Sequence, residues 1–258
     1  MRRRDFIAGL GGAAAWPRAA RAQPAERVQR IGVLMAFDEN DPLAKSEVSA
    51  FTQALAGLGW TDGRNVRIEL HWAGNIDRIR ALPQELVGLQ LDVILSGSTV
   101  TTIAVQQETR TIPIVFVTGG DPVATGLVPR LNQPGGNITG FASLEATLGG
   151  KWVELLSEIA PGLKRAALMF NPDAAPVSSF IPSFETAARS LNVVPIIAPV
   201  HSDVEIEMAV VSLGREPRGG LVVMPDAWTL VHRVPLISAA ARNNVSLGAG
   251  SITDILCQ

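Results

Sequence analysis

Seven short runs of β-branched and other apolar residues recur along the chain, separated by stretches with helical periodicity, and this alternation narrows the fold more than any motif does. The runs lie at 30–36 (RIGVLMA), 66–72 (VRIELHW), 92–97 (DVILSG), 112–117 (IPIVFV), 165–170 (RAALMF), 193–200 (VVPIIAPV) and 220–225 (GLVVMP). Several are apolar at consecutive positions rather than alternate ones, as at 31–35, 93–95 and 221–224. Strands that read this way are buried on both faces. Between them, Val48, Phe51, Leu55 and Leu58 fall on one helical face, as do Trp152, Leu155, Leu156 and Ile159, and again Ile206, Ala209, Val210 and Leu213. The third stripe opens with a Ser202-x-x-Glu205 capping box and closes at Gly214; Pro161-Gly162 stops the second. Pro83 lies inside a further stripe at 76–89 and predicts a kink or a later start there.

Alternating strand and helix implies α/β architecture, with parallel sheets covered by helices on both faces. The alternation occurs twice, with a break at 132–147 (NQPGGNITGFASLEAT), where Gly, Asn and Pro cluster. The sequence therefore predicts two Rossmann-like lobes, at 23–144 and 145–248, followed by an atypical tail at 249–258.

The first 22 residues are read separately, as a leader. Three arginines, an apolar stretch from Phe6 to Trp16 and Ala20-Arg21-Ala22 form the pattern of an export signal, with an apolar segment too short to span a membrane. Arg3-Arg4-Asp5-Phe6-Ile7 resembles a twin-arginine signal. The leader holds five arginines and one acidic residue, so the rest of the chain is more acidic than the overall net charge of −2. No basic stripe with interleaved aromatics occurs, which sets nucleic acid aside as a partner. The one cysteine, Cys257, excludes an intramolecular disulfide, and no cysteine stands at the cleavage point to carry a lipid. A soluble, unanchored, periplasmic monomer is expected.

In open α/β sheets, ligands bind at the carboxyl ends of the strands, which directs attention to 37–42, 96–101, 118–122, 171–173 and 225–228. No P-loop or G-x-S-x-G elbow is present, and the only G-x-G-x-x-A match, Gly9 to Ala14, lies in the leader. His71, His201 and His232 sit in different elements without ligand spacing and read as surface or packing histidines, so no metal is expected. Asp38, Glu39 and Asp41 lack the rest of a calcium loop and read as caps for the following helix. Ser98 and Thr99 stand where a strand turns into a helix at 99–108, a place that suits either a carboxylate ligand or plain N-capping. Asp121 follows Gly119-Gly120 and either meets a guest or caps the turn at Pro122.

The stretch 112–141 (IPIVFVTGGDPVATGLVPRLNQPGGNITGF) resembles a signature segment of ABC-transporter substrate-binding proteins of the type I periplasmic-binding fold, from the branch associated with aromatic or branched amino acids. The stretches 151–172 and 219–233 resemble the same family, and the likeness runs from about Arg30 to Arg242. It implies a two-lobed clamp that closes on a small solute and delivers it to an inner-membrane permease, without catalysis or cofactor. Carried over by position, the ligand-facing residues are Asp38, Ser98, Thr99, Asp121, Asn171 and Asp226. Ser98 and Thr99 would hold the carboxylate of an amino acid, and Asp121 or Asp226 its ammonium. From about Asn243 the sequence does not resemble the family's continuation of a further strand, a return to the first lobe and a closing segment. A truncated end that exposes strand edge and apolar surface is expected. The alternatives, an exported hydrolase or transferase and a sensory ligand-binding domain, lack a nucleophile, base or metal set in the first case and a helix-turn-helix or membrane span in the second.

Overall fold

A computed structural model describes residues 27–118, 120–174 and 177–249. The leader and all but the first residue of the expected tail lie outside these.

The first sheet has five parallel strands in the order β2-β1-β3-β4-β5: β1 (Gln29–Met35), β2 (Val66–Trp72), β3 (Val93–Ser96), β4 (Ile114–Thr118) and β5 (Ile138–Ala142). The second has four, also parallel, in the order β7-β6-β8-β9: β6 (Arg165–Phe170), β7 (Val194–Pro199), β8 (Gly219–Val223) and β9 (Ser246–Ala249). Parallel neighbours need crossovers, and helices supply most of them. In the first lobe these are α1 (Pro42–Gly57), α2 (Ile76–Gly88) and α3 (Thr99–Glu108). In the second lobe, α4 (Leu148–Ile159) leads in, followed by α5 (Ile181–Ser190), α6 (Asp203–Gly214), the five-residue α7 (Ala227–Val231) and α8 (Arg233–Arg242).

The consecutive apolar residues behave as strands buried on both faces should. In β6, Ala166, Leu168 and Phe170 join a core with Trp152 and Leu156 of α4 and Phe184 of α5, while Ala167 and Met169 join the opposite core with Ile206, Val210 and Leu236. In β1 and just beyond it, Leu34 and Ala36 pack under α2 and α3, while Val33, Met35 and Phe37 pack under Ala44 of α1. Period-two alternation thus survives inside an unbroken apolar run.

Several expectations need correction. The break at 132–147 contains β5, an edge strand whose Phe141 is 73% exposed and whose Gly140 lies under Phe116. A strand packed on one face, with a glycine at its centre, leaves no apolar run to read. Pro83 neither delays nor ends its helix: α2 starts at Ile76, capped by Asn75, and buries Pro83 between Leu82 and Leu86. Leu58 is not on the buried face of α1, because the helix ends at Gly57 and leaves Leu58 77% exposed as its C-cap. Residues 246–249, placed beyond the resemblance, pair with β8 as β9.

Helices α4 and α5 approach closely through Gly149 and Gly150. A Cβ on Gly149 would meet the Phe180 carbonyl oxygen at 2.4 Å and Ser183 Oγ at 2.8 Å. Backbone cannot yield as a side-chain tip can, so Gly149→Ala is expected to cost about 1–3 kcal/mol of stability, the range for overpacking. Gly57→Ala, where nothing lies within 4 Å, should hold stability or raise it. Urea melts of the two variants check this, and equal midpoints would contradict the close approach.

Candidate functional site

The carboxyl ends of the two sets of strands face each other across a cavity of about 240 Å³. From the first lobe it is lined by Ala36 after β1, Gly74 and Asn75 after β2, Ile76 and Ile79 of α2, and Val100 of α3. From the second lobe come Asn171, Asp173 and Ala174 after β6, His201 after β7, and Ala227, Trp228, Val231 and His232 after β8. The order of each sheet reverses at β1 and at β6, and both switch points open onto this cavity, where open α/β sheets bind ligands.

Hydroxyl bonding fixes the start of α3. Ser98 is its N-cap, accepting the Thr101 N–H at 3.2 Å. Thr101 Oγ1 lies 2.7 Å from Ser96 Oγ and 2.8 Å from Ser98 Oγ, and Thr102 Oγ1 donates to the Ser98 carbonyl at 2.5 Å. Ser96, Thr101 and Thr102 are fully buried, so the turn is held from inside. The positive end of α3 therefore begins at the cavity wall, beside Val100.

Across the cavity, Asp226 caps α7. Its Oδ1 accepts the Thr229 N–H at 2.9 Å, and the Thr229 hydroxyl both receives the Asp226 N–H at 3.2 Å and donates to the Met224 carbonyl at 2.6 Å. The other oxygen, Oδ2, is shut off from solvent and has no hydrogen-bond partner, although the residue as a whole is only half-buried. Burial dominates its electrostatics and pushes the carboxyl up to about 7, against the opposing hydrogen bonds from Thr229 and Trp228.

Helix α7 is also where the second lobe enters the first. Ala227 packs against both cores of the first sheet, and Leu230 against the one formed by Val33, Met35, Phe37 and Ala44. Arg233 Nη1 lies 3.2 Å from Asp41 Oδ2 in the opposite lobe, both side chains largely buried. Asp41 is the N-cap of α1 as well, as the reading of its cluster expected.

Of the six residues inferred from the sequence, only Asn171 lines the cavity itself; it is 4% exposed, and its Oδ1 accepts the N–H groups of Asp173 and Ala174. Asp38 lies beside Gly74, Thr99 beside Val100 and Asp226 beside Ala227, so these flank the lining, as does Ser98. Asp121 is not among the lining residues; its Oδ1 accepts from Val123 and Ala124 at 2.9 and 3.1 Å, a turn around Pro122. Trp228 falls in the 225–228 stretch singled out from the sequence but was not named as a candidate, while His201 and His232 were missed as cavity residues, and their places after β7 and β8 were the available signal. Glu205 does not complete the expected capping box: Ser202 accepts the Glu205 N–H, but the Glu205 carboxylate turns to the N–H and Nδ1 of His201, which hold it below the usual carboxylate range. Among the described residues no cluster of His, Cys, Asp or Glu could hold a metal, and no helix is long and apolar enough to cross a membrane.

Residues 30–247 match the ABC transporter substrate binding protein family. The chain belongs to that family. Its members are substrate-binding proteins, not enzymes. A tyrosine-binding protein of Clostridioides difficile (strain R20291) is 27% identical over 210 residues, covering 80% of this chain and 59% of the relative. The chain thus spans 59% of that relative's length. The solved structure of a conserved domain protein from Vibrio cholerae O1 biovar El Tor has a TM-score of 0.79 at 24% identity, covering 89% of this chain and 76% of that one. An ABC domain from Streptococcus pneumoniae in complex with L-Trp has a TM-score of 0.78 at 20% identity, covering 88% and 75%. These likenesses place the two lobes in the type I periplasmic-binding fold. The match also reaches residue 247, past the Arg242 limit expected from the sequence.

For this substrate-binding protein, Asp226 makes stability depend on pH. Its folded pKa of about 7 lies above the ordinary 3.8, so the folded state holds a proton that the unfolded state releases. The contribution of Asp226 to stability is therefore highest below pH 4, falls as pH rises to 7 and is flat above, by roughly 4 kcal/mol at most. Asp226→Asn should retain the cap and flatten the part of the pH–Tm curve between pH 4 and 7. An unchanged slope in that variant would show that the carboxylate is not held apart from water.

Proposed function

We propose that this chain is the solute-binding component of an ABC importer, taking a small organic solute, an aromatic or branched amino acid, between its lobes and delivering it to a permease. The observation that carries the reading is the cavity between the strand ends of the two lobes, with Val100 at the start of α3 on one wall and α7 on the other, where Asp226 Oδ2 sits buried and without a donor behind Ala227. A buried acceptor without a donor is costly, and a ligand ammonium supplies both the donor and the opposite charge. The α-carboxylate goes to Ser98, Thr99 and the positive end of α3. Ile76, Ile79, Val100 and Val231 surround an apolar side chain, aromatic or branched. The cavity is smaller than the roughly 300–1,000 Å³ of drug-sized sites, which suits a small solute.

Asp226 is favoured over Asp121 for the ammonium because it adjoins Ala227 of the cavity lining and keeps one oxygen without a partner, whereas Asp121 lies away from the lining. Asp38 and Asn171 order the rim of the cleft through the backbone bonds of their own turns. The tyrosine and L-Trp named for the two relatives agree with an amino acid as ligand. In this reading the leader at 1–22 exports the chain to the periplasm, where lobes at 23–144 and 145–248 act as a monomer.

Isothermal titration of the full chain against amino acids, sugars and nucleosides tests the proposal. An aromatic or branched amino acid should bind. Asp226→Asn should weaken it about tenfold to a hundredfold, the loss of one charge-assisted hydrogen bond, and Asp121→Asn should change it little. Binding of a sugar or nucleoside in place of any amino acid would contradict the proposal.

A further inference from the structure

One helical turn holds both imidazoles of the cavity wall. His201 Nδ1 lies 3.1 Å from Glu205 Oε2, and His232 Nδ1 lies 2.5 Å from Asp203 Oδ1, with both carboxylates in the first turn of α6. His232 is the junction between α7 and α8, far from α6 in sequence. Its ring stacks on Trp228, with centroids 4.0 Å apart and planes 26° apart. Trp228 in turn packs against the second-lobe core that contains Met169, Ile206 and Leu221. The indole therefore has the core on one side and a tethered imidazole beside it, and both rings line the cavity.

We propose that Asp203 is a positioning residue of the binding site: by fixing His232 against Trp228, it builds a flat, rigid wall of two stacked rings that selects solutes carrying a planar ring. The proposal rests on the reading of the cleft as a ligand site and narrows its side-chain preference. An imidazole with a free Nδ1 has several staggered orientations open to it. The bond to Asp203 removes that choice before ligand arrives, so no ordering cost falls on binding. Aromatic rings gain from an offset or edge contact with another π face beyond the area they bury, by about threefold to tenfold in affinity. A branched aliphatic side chain gains the burial alone. Asp203 is 58% exposed and lies outside the core, so its replacement leaves the packing around Trp228 and Ile206 in place.

The test is calorimetric titration of the full chain and its Asp203→Ala and Asp203→Asn variants with L-tryptophan, L-leucine and indole-3-acetate, a flat ring without an ammonium. Wild type should prefer tryptophan to leucine. Asp203→Ala should weaken tryptophan and indole-3-acetate about threefold to tenfold and leave leucine within twofold. Asp203→Asn, which keeps an oxygen for His232 Nδ1–H, should restore tryptophan affinity. Equal wild-type affinity for tryptophan and leucine, no loss or an equal loss for all probes in Asp203→Ala, or failure of Asp203→Asn to restore would overturn the wall and leave the amino-acid reading standing. Binding of indole-3-acetate but neither amino acid, with the same Asp203→Ala loss, would sink the amino-acid reading and keep the wall. Wild type that binds none of the three would overturn both.

Discussion

Parallel pairing puts all the carboxyl ends of a sheet on one side, and the cleft exists because the two such sides in this chain face each other. Each strand that ends there leaves backbone groups without a ladder partner. Short polar side chains take them up: Ser98 after β3, Asn171 after β6 and Asp226 after β8 each accept backbone N–H groups of the segment that follows. The polar rim of the cleft is thus first a solution to a backbone problem. What separates a binding site from ordinary turn chemistry is the polar atom that turn chemistry leaves over. In the proposed function, Asp226 Oδ2 is that atom.

The second consequence is mechanical. The short α7 carries Asp226 at its start and Trp228 within it, and it is also the element through which the second lobe touches both cores of the first. A solute held by α7 on one side and α3 on the other bridges the lobes along the same path as Ala227, Leu230 and the Asp41–Arg233 pair. In the proposed function, ligand contact and lobe contact share one element, so a solute that engages α7 adds to the contact between the lobes rather than competing with it.

The two-sheet architecture was legible because burial on both faces writes itself into consecutive positions, as at Ala167, Leu168 and Met169. β5 was not, because an edge strand with Gly140 under a phenylalanine ring needs neither an apolar run nor alternation. At the site, strand-end logic singled out Ser98 and the stretches holding Asn171 and Asp226, two residues that the family resemblance then named, and all three accept N–H groups from neighbours in sequence. It could not separate Asp121, which bonds its own turn, from Asp226, whose second oxygen is buried without a partner. His201 and His232 lie 31 positions apart and line one cavity because β7 and β8 end on the same side of one sheet. Spacing in sequence carries no trace of that.

The central claim is that a protonated, partnerless Asp226 becomes an ammonium-bonded carboxylate when solute binds. Titrating an amino-acid ligand at pH 6 in buffers of different ionisation enthalpy counts the protons that leave. Because the free carboxyl sits at about 7, the account requires release of nearly one proton per ligand at pH 6 and almost none at pH 9. Binding heats independent of the buffer at pH 6 would contradict it.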